Sequence, residues 1–337
     1  YRYTDEHGQI VIGNTIPQEA TRRGYDILSN SGRVIETIPP APTPEEIAAL
    51  EAEMASRGFI VFKGQQGLTA EELVRACQWW GGRTLHSTHG VHPATPGGNR
   101  HIFRLSNDQH HGILGVGPLF HNDGAFCEAP FSHVAYHMVR VPEHGGGTVF
   151  AHLGAAFNAL PAATQARWRR LSSVNATTGV VHPLVHDHPV SGRRSVWLHL
   201  GMTGAVIESS PGGDEHRLLD EDELTALCRA YNALLADGID GGYTLPYEYE
   251  AGDCVFIDNY AVAHKAAPGA HTSIEGAPTP AWQSSGCSKT HPVAAHEPFC
   301  SQEGQHHQQH QRLNDVVKRI HPAGKQLAEL EQEVEAL

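Results

Sequence analysis

Cysteine is scarce: six in 337 residues, at positions 77, 127, 228, 254, 287 and 300, with no C-x-x-C pair. In a chain of this length that argues against a disulfide frame and for free thiols in a reducing compartment, the cytoplasm. Positive charge is also short. Lys and Arg number 24 against 37 Asp and Glu, giving a net charge of -13. That excludes a phosphate-backbone partner such as nucleic acid. No stretch approaches the ~18 consecutive apolar residues of a membrane-spanning helix, so no membrane partner is expected. Arginine is missing between Ala230 and Gln311. What the chain does have is histidine, 25 residues of it, over an apolar share of 40% that is enough for a core. Its length suits one large domain or two ordinary ones.

The histidines become informative where they fall in a pattern. In Leu119-Phe120-His121-Asn122-Asp123-Gly124-Ala125-Phe126 a histidine and an aspartate stand two residues apart. On a strand running into a turn, residues i and i+2 point to the same face, so imidazole and carboxylate converge. These are two of the three ligands of a 2-His-1-carboxylate facial triad, which holds non-haem Fe(II) and leaves positions open. The third should be a histidine far downstream on another strand, and Asp258-Asn259-Tyr260-Ala261-Val262-Ala263-His264 offers one. Taken alone, H-x-D in a chain with 25 histidines is more often the mark of a structural or surface pair. The surrounding motifs decide.

Residues 1–42 read as a small β-unit, with strand, acidic turn and strand over residues 1–12, closed by the stiff linker Ile38-Pro39-Pro40-Ala41-Pro42. Thr43-Pro44-Glu45-Glu46 opens a helix, with Thr43 as N-cap and Pro44 at N1, that stops near Gly58. A buried strand over 58–64 follows. Thr69 and Glu72 then form the capping box of a second helix. Residues 83–118, rich in Gly, His and Pro, are expected to be a long loop over the mouth of the site. Strands are expected at 133–139, 148–152, 174–178, 195–200 and 254–259, and helices at 160–171 and 220–236. Many short strands with few helices indicate a mainly β fold with flanking helices, a double-sheet jelly roll (double-stranded β-helix). Residues 43–300 are its domain. Residues 301–337 read as a polar linker, with the tract Gln305-His306-His307-Gln308-Gln309-His310, and C-terminal helices suited to packing on the domain or on a second copy in a homo-oligomer.

Four motifs occur in order: His121-x-Asp123; Pro142-Glu143-His144-Gly145-Gly146-Gly147-Thr148; His188-Pro189-Val190-Ser191-Gly192-Arg193; and Gly252-Asp253-(x)4-Asp258-Asn259-(x)4-His264. Together they resemble the taurine/alkylsulfonate and 2,4-D dioxygenase family of Fe(II)/2-oxoglutarate oxygenases, over residues 43–270. The resemblance implies that His121, Asp123 and His264 are the catalytic metal ligands. It implies that 2-oxoglutarate and O2 take the open positions, and that Thr148 hydrogen-bonds a carboxylate of 2-oxoglutarate. It places His92 and Asn122 as contacts to a small-molecule substrate. Residue 95, where the taurine enzyme carries an aromatic side chain, is Thr95, so a different substrate pocket is expected. Asp258 and Asn259 read from the residues themselves as a cap that holds the loop bearing His264.

One departure stands out. The family supplies an arginine soon after the distal histidine to pair with the far carboxylate of 2-oxoglutarate. This chain offers only Lys265 and Lys289 there. Lys265 follows a metal ligand and on an extended segment points away from it, which leaves Lys289 as the anchor, a point charge in place of a bidentate fork. The expected function is oxidation of a C–H bond, coupled to conversion of 2-oxoglutarate to succinate and CO2. The alternative is a non-catalytic jelly-roll protein that binds a metal or a small acid.

Overall fold

The computed structural model describes residues 1–268, except 18, 19, 21, 22, 39, 81, 82, 85–89 and 144, together with the backbone of 281–288; of 83 and 84 it likewise describes only the backbone. Lys289, the tract 305–310 and the C-terminal helices lie outside the described residues. The chain divides into two compact units, Tyr1–Leu50 and Glu51–Leu337.

The first unit carries a four-stranded sheet of order β2-β1-β3-β4, from β1 (Arg2–Thr4), β2 (Ile10–Ile12), β3 (Tyr25–Leu28) and β4 (Val34–Ile38). The acidic turn between β1 and β2 forms because Asp5 Oδ1 accepts from the backbone N–H groups of His7 and Gln9 at 2.9 and 2.8 Å. Helix α1 (Pro44–Arg57) starts with a reciprocal cap: Thr43 Oγ1 accepts from Glu46 N, and Glu46 Oε2 accepts from Thr43 N. The helix runs across the division between the units and stops at Gly58, whose φ of +96° suits glycine best.

In the larger unit the first elements are β5 (Phe59–Phe62), α2 (Ala70–Cys77), β6 (Arg83–Thr84), β7 (Phe103–Ser106), β8 (His133–Arg140) and β9 (Thr148–His152). Then come α3 (Leu153–Ala159), α4 (Ala162–Trp168), β10 (Leu171–Asn175), β11 (Val181–Pro183), β12 (Val185–Asp187), β13 (Arg194–Val196), β14 (Thr203–Ser209) and β15 (His216–Leu218). The last are α5 (Glu221–Asp237), β16 (Thr244–Tyr247), β17 (Cys254–Asp258), β18 (Val262–Ala266) and β19 (Ala281–Ser288). β5-β17-β8-β19-β6, with β7 on β19, forms the major sheet; β16-β9-β18 forms the facing one. This is the jelly-roll architecture.

Alternation along the strands sets the core. Val134, Tyr136 and Met138 of β8, Val255 and Ile257 of β17, Phe150 of β9 and Val262 of β18 form one buried cluster. Val149, Ala151 and Ala263, on the opposite face of the smaller sheet, belong to a second cluster with Leu153 and Phe157 of α3 and Leu227, Tyr231 and Leu235 of α5. The smaller sheet is therefore covered on both faces, and its ligand-bearing strand is held from both sides.

The structure corrects the sequence reading at several elements; the strands expected at 174–178 and 195–200 run instead over Leu171–Asn175 and Arg194–Val196. The expected helix over 160–171 is shorter, Ala162–Trp168, and is preceded by a separate unexpected helix, Leu153–Ala159; Pro161, which cannot donate to the preceding turn, stands between them, and Leu171 already begins a strand. The expected long loop over 83–118 contains β6 and β7, both paired with β19. β7 was hidden because its partner lies more than a hundred residues downstream.

Candidate metal centre

Two loops build the centre by locking onto each other. His121 and His264 form an isolated antiparallel bridge, in which each backbone N–H donates to the other's carbonyl at 3.0 Å. Asn259 clamps the backbone of Asp123: its Oδ1 accepts from Asp123 N at 3.0 Å, and its Nδ2 donates to Asp123 O at 2.8 Å and to Phe131 O at 2.7 Å. Asn122 is fully buried and donates through Nδ2 to the carbonyls of Asn259 and Val262 at 2.6 and 2.8 Å. Asp258 Oδ1 closes the turn by accepting from Tyr260 N and Ala261 N. Asp258 and Asn259 thus hold the turn that leads into β18, and His264 stands on that strand rather than on a loop.

The three side chains meet. Asp123 Oδ1 lies 3.7 Å from His121 Nε2, and Asp123 Oδ2 lies 3.7 Å from His264 Nε2. One ligand atom from each of the three falls within 4.8 Å of the others. Glycine makes room on one side, since a Cβ on Gly117 would stand 2.8 Å from the His121 ring. His121 Nδ1 lies 2.8 Å from the Leu119 carbonyl. A carbonyl can only accept, so the proton sits on Nδ1 and Nε2 keeps its lone pair for a metal.

Electrostatics agree with a cation at this point. Desolvation, reinforced by the charges of His121 and His199, holds the His264 pKa well below its ordinary value, so the ring is neutral and ready to ligate. Desolvation raises the Asp123 carboxyl, against an opposing pull from His121. A divalent ion supplies the missing positive charge and favours the carboxylate. Two imidazoles, one carboxylate and no thiolate suit Fe(II).

A cavity opens over the triad, lined also by Phe103, Leu105, Val116, Tyr136 and Thr148. Thr148 pairs with Ala266 and so shares a face with the neighbouring Phe150–His264 pair, the metal side of the sheet. Gly147 precedes it because a Cβ there would meet the Tyr247 carbonyl at 2.4 Å. Lys265 pairs with Val149 on the opposite face, as alternation implied; its ammonium lies 4.8 Å above the ring of Phe120, and burial lowers its pKa. Arg194 is exposed and paired with Asp187 at 3.3 Å. Of the two substrate candidates, neither lines the cavity. Asn122 spends its amide on the two loops, and His92 ties down its own loop through Gln109 O and Ala94 N.

Two residues at the centre were not singled out from sequence. Tyr136 on β8 places its hydroxyl 2.7 Å from His264 Nε2. His199 lies with its ring centroid 5.2 Å from that of His121, and burial first, then the charge of His121, pushes its pKa down to about 3. Tyr136 was detectable in principle, as an inward position of an alternating strand. Nothing local marks His199.

The description "Taurine catabolism dioxygenase TauD, TfdA family" matches residues 33–275. The chain belongs to the TauD/TfdA dioxygenase family. Relatives within reach of sequence comparison include an alpha-ketoglutarate-dependent sulfate ester dioxygenase of Pseudomonas putida, 25% identical over 247 residues, covering 65% of this chain and 75% of that protein. Another is the alpha-ketoglutarate-dependent 2,4-dichlorophenoxyacetate dioxygenase of Cupriavidus pinatubonensis, 26% identical over 167 residues, covering 44% of this chain and 53% of that protein. Among solved structures, a taurine dioxygenase-like protein from Burkholderia xenovorans superposes with a TM-score of 0.58 at 20% identity, covering 74% of this chain and 85% of that one. AAD-2, solved with Mn(II) and N-oxalylglycine, gives a TM-score of 0.57 at 20% identity, covering 75% of this chain and 90% of its own. These solved structures share the fold seen here, and none of these relatives supports the non-catalytic alternative. No helix of the described residues is long and apolar enough to cross a membrane.

Proposed function

We propose that this TauD/TfdA-family enzyme oxidises a C–H bond of a small anionic organic molecule, with Fe(II), 2-oxoglutarate and O2. The convergence of His121, Asp123 and His264 on one point carries the reading. Bound iron with 2-oxoglutarate supplies the oxidative chemistry, in which 2-oxoglutarate becomes succinate and CO2. The chain's own residues do the positioning. His121 offers Nε2 because Leu119 fixes its proton on Nδ1. Asn259 fixes the backbone of Asp123. Thr148 lines the pocket, and its hydroxyl is a donor suited to a carboxylate. Phe103, Leu105 and Val116 make an apolar wall that limits water.

Lys289 is the cation we assign to the far carboxylate of 2-oxoglutarate. Among the described residues the one cationic side chain at the cavity rim, Lys265, is turned to Phe120. The anionic substrate class follows from the sulfate ester and 2,4-dichlorophenoxyacetate named for the relatives. We assign the catalytic domain to residues 43–300, with 1–42 as an N-terminal extension. We assign the protein to the cytoplasm, in keeping with the free thiols of Cys77, Cys127, Cys228 and Cys254. The test is succinate release from 2-oxoglutarate across alkyl sulfates, sulfonates, aryloxyacetates, amino acids and carnitine-like compounds. Substrate-stimulated succinate from one anionic class is expected. Stimulation by neutral or cationic compounds only would contradict the substrate class, and no succinate with any of them would contradict the activity.

A further inference from the structure

Asp123 is held by its backbone and not by its side chain. Among the described residues its carboxylate accepts no hydrogen bond, and the two imidazoles it faces each stand 3.7 Å away. A ligating carboxylate is ordinarily aimed by hydrogen bonds of its own. Here the aim comes through the main chain, so whatever fixes the peptides around residue 123 fixes the ligand. Asn259 does part of this. It takes the Asp123 N–H and carbonyl and the Phe131 carbonyl, which ties both ends of the turn to the connection between β17 and β18.

The middle of the turn is held from elsewhere. His182 Nε2 lies 3.2 Å from Ala125 O, with the backbone of Cys127 beside the same ring. A carbonyl only accepts, so Nε2 carries the proton and donates. His182 is on β11, which pairs with β10 in a sheet that bears none of the three metal ligands. It is buried, and its ring stands edge-on to Trp197, with centroids 4.7 Å apart at 81°. Packing of this kind locks the direction in which the ring donates.

The turn is short and closed on itself. Gly124 has a φ of +80°, a Cβ on it would stand 2.8 Å from Phe131 N, and Cys127 N donates to Gly124 O at 2.9 Å. A displacement at Ala125 therefore reaches the Asp123 backbone two residues away. We propose that His182 is a positioning residue of the metal centre, whose N–H, donated to Ala125 O, aims the Asp123 carboxylate at the metal. Its role differs from that of His188, six residues on, which is spent on Asp258, a residue that is not a ligand. The inference rests on the metal-centre reading above.

The test is Fe(II) titration of the full chain under argon, with thermal unfolding of the same samples, for wild type, His182→Phe, His182→Gln and His188→Ala. Phenylalanine keeps a ring against Trp197 and removes the donor. Glutamine carries an amide N–H at the reach of Nε2. Losing an outer partner of a metal ligand lowers metal affinity ~10–100-fold, and His182 acts through the backbone, so His182→Phe should weaken Fe(II) binding about tenfold at the same stoichiometry. His182→Gln should recover most of that loss. His188→Ala should melt lower and bind iron like wild type. Wild-type affinity in His182→Phe would overturn the proposal and leave the triad standing, as would equal losses in His182→Phe and His182→Gln or as large a loss in His188→Ala. No iron bound by the wild type would overturn the proposal together with the centre. If His182→Phe did not fold, His182→Asn would replace it, since it has the amide of glutamine on a side chain too short to reach Ala125 O; equal affinities of the two amide variants would then overturn the proposal.

Discussion

Two His–Asp pairs in this molecule are made of the same two side chains and differ in chemistry. His188 and Asp258 are buried to 2% and 3% of side-chain exposure, and His188 Nε2 lies 2.9 Å from Asp258 Oδ2. His188 Nδ1 accepts from Val190 N and Ser191 N, so the proton is on Nε2 and donates to the carboxylate. Every strong group in that pair has a partner. His121 and Asp123 stand 3.7 Å apart, and the Nε2 lone pair is left facing the carboxylate and His264. The first pair is a finished structural link. The second is an unfinished site, whose last partner is a cation.

That contrast yields tests, the largest expected effect first. Asp123→Ala should reduce Fe(II) binding and succinate release to background while leaving the thermal melt near wild type. Anaerobic iron titration and calorimetry check this; unchanged iron affinity would refute the triad. His188→Ala should do the reverse, keeping one iron per chain but costing about 3 kcal/mol of stability, the low end for breaking a buried pair because Asp258 keeps its two turn N–H donors. Denaturant unfolding measures it, and a loss under about 1 kcal/mol would place the pair among weak surface links.

The same pair carries a pH dependence. Desolvation raises the Asp258 pKa, but the hydrogen bond and charge of His188, the charge of His133 and the Tyr260 N–H bring it below 3.8 on balance. A depressed carboxyl pKa contributes stability above its unfolded value, and that stability is lost as pH falls through the folded value. The stability lead of wild type over Asp258→Asn should therefore be full near neutrality and shrink below about pH 4. A lead that grew on acidification would reverse the sign.

Smaller effects concern parts outside both pairs. Lys289→Ala should raise the KM for 2-oxoglutarate about tenfold, since losing a charge-assisted hydrogen bond costs ~1.5–3 kcal/mol. A wild-type titration curve in that variant would place the anchor elsewhere. Deletion of residues 1–42 should leave turnover within a few-fold, and an insoluble or inactive truncation would make the segment integral.

The comparison also shows what could be read without coordinates. His121, Asp123 and His264 were legible because an H-x-D step on a strand and a distant histidine after a capped turn are local patterns. The strand over 148–152 was legible from alternation after a glycine turn, and it appears with those bounds. β7 was not, because it is defined by pairing with β19. The helix Leu153–Ala159 was overlooked, although Pro161 marks locally the boundary between it and the helix that was expected. Tyr136 was marked locally only as an inward position of an alternating strand, and His199 reaches the centre through a relation that no sequence window contains. His188-Pro189 lies in the hairpin turn between β12 and β13; the bond of His188 to Asp258 spans 70 residues and left no local trace.

The most direct measurement is the visible spectrum of the Fe(II) protein under argon, titrated with 2-oxoglutarate. The weak charge-transfer band of an iron–2-oxoglutarate chelate should rise to saturation at one equivalent of iron in the wild type and be absent in Asp123→Ala. No band in the wild type at saturating iron and 2-oxoglutarate, or an equal band in Asp123→Ala, would contradict the assignment of this centre.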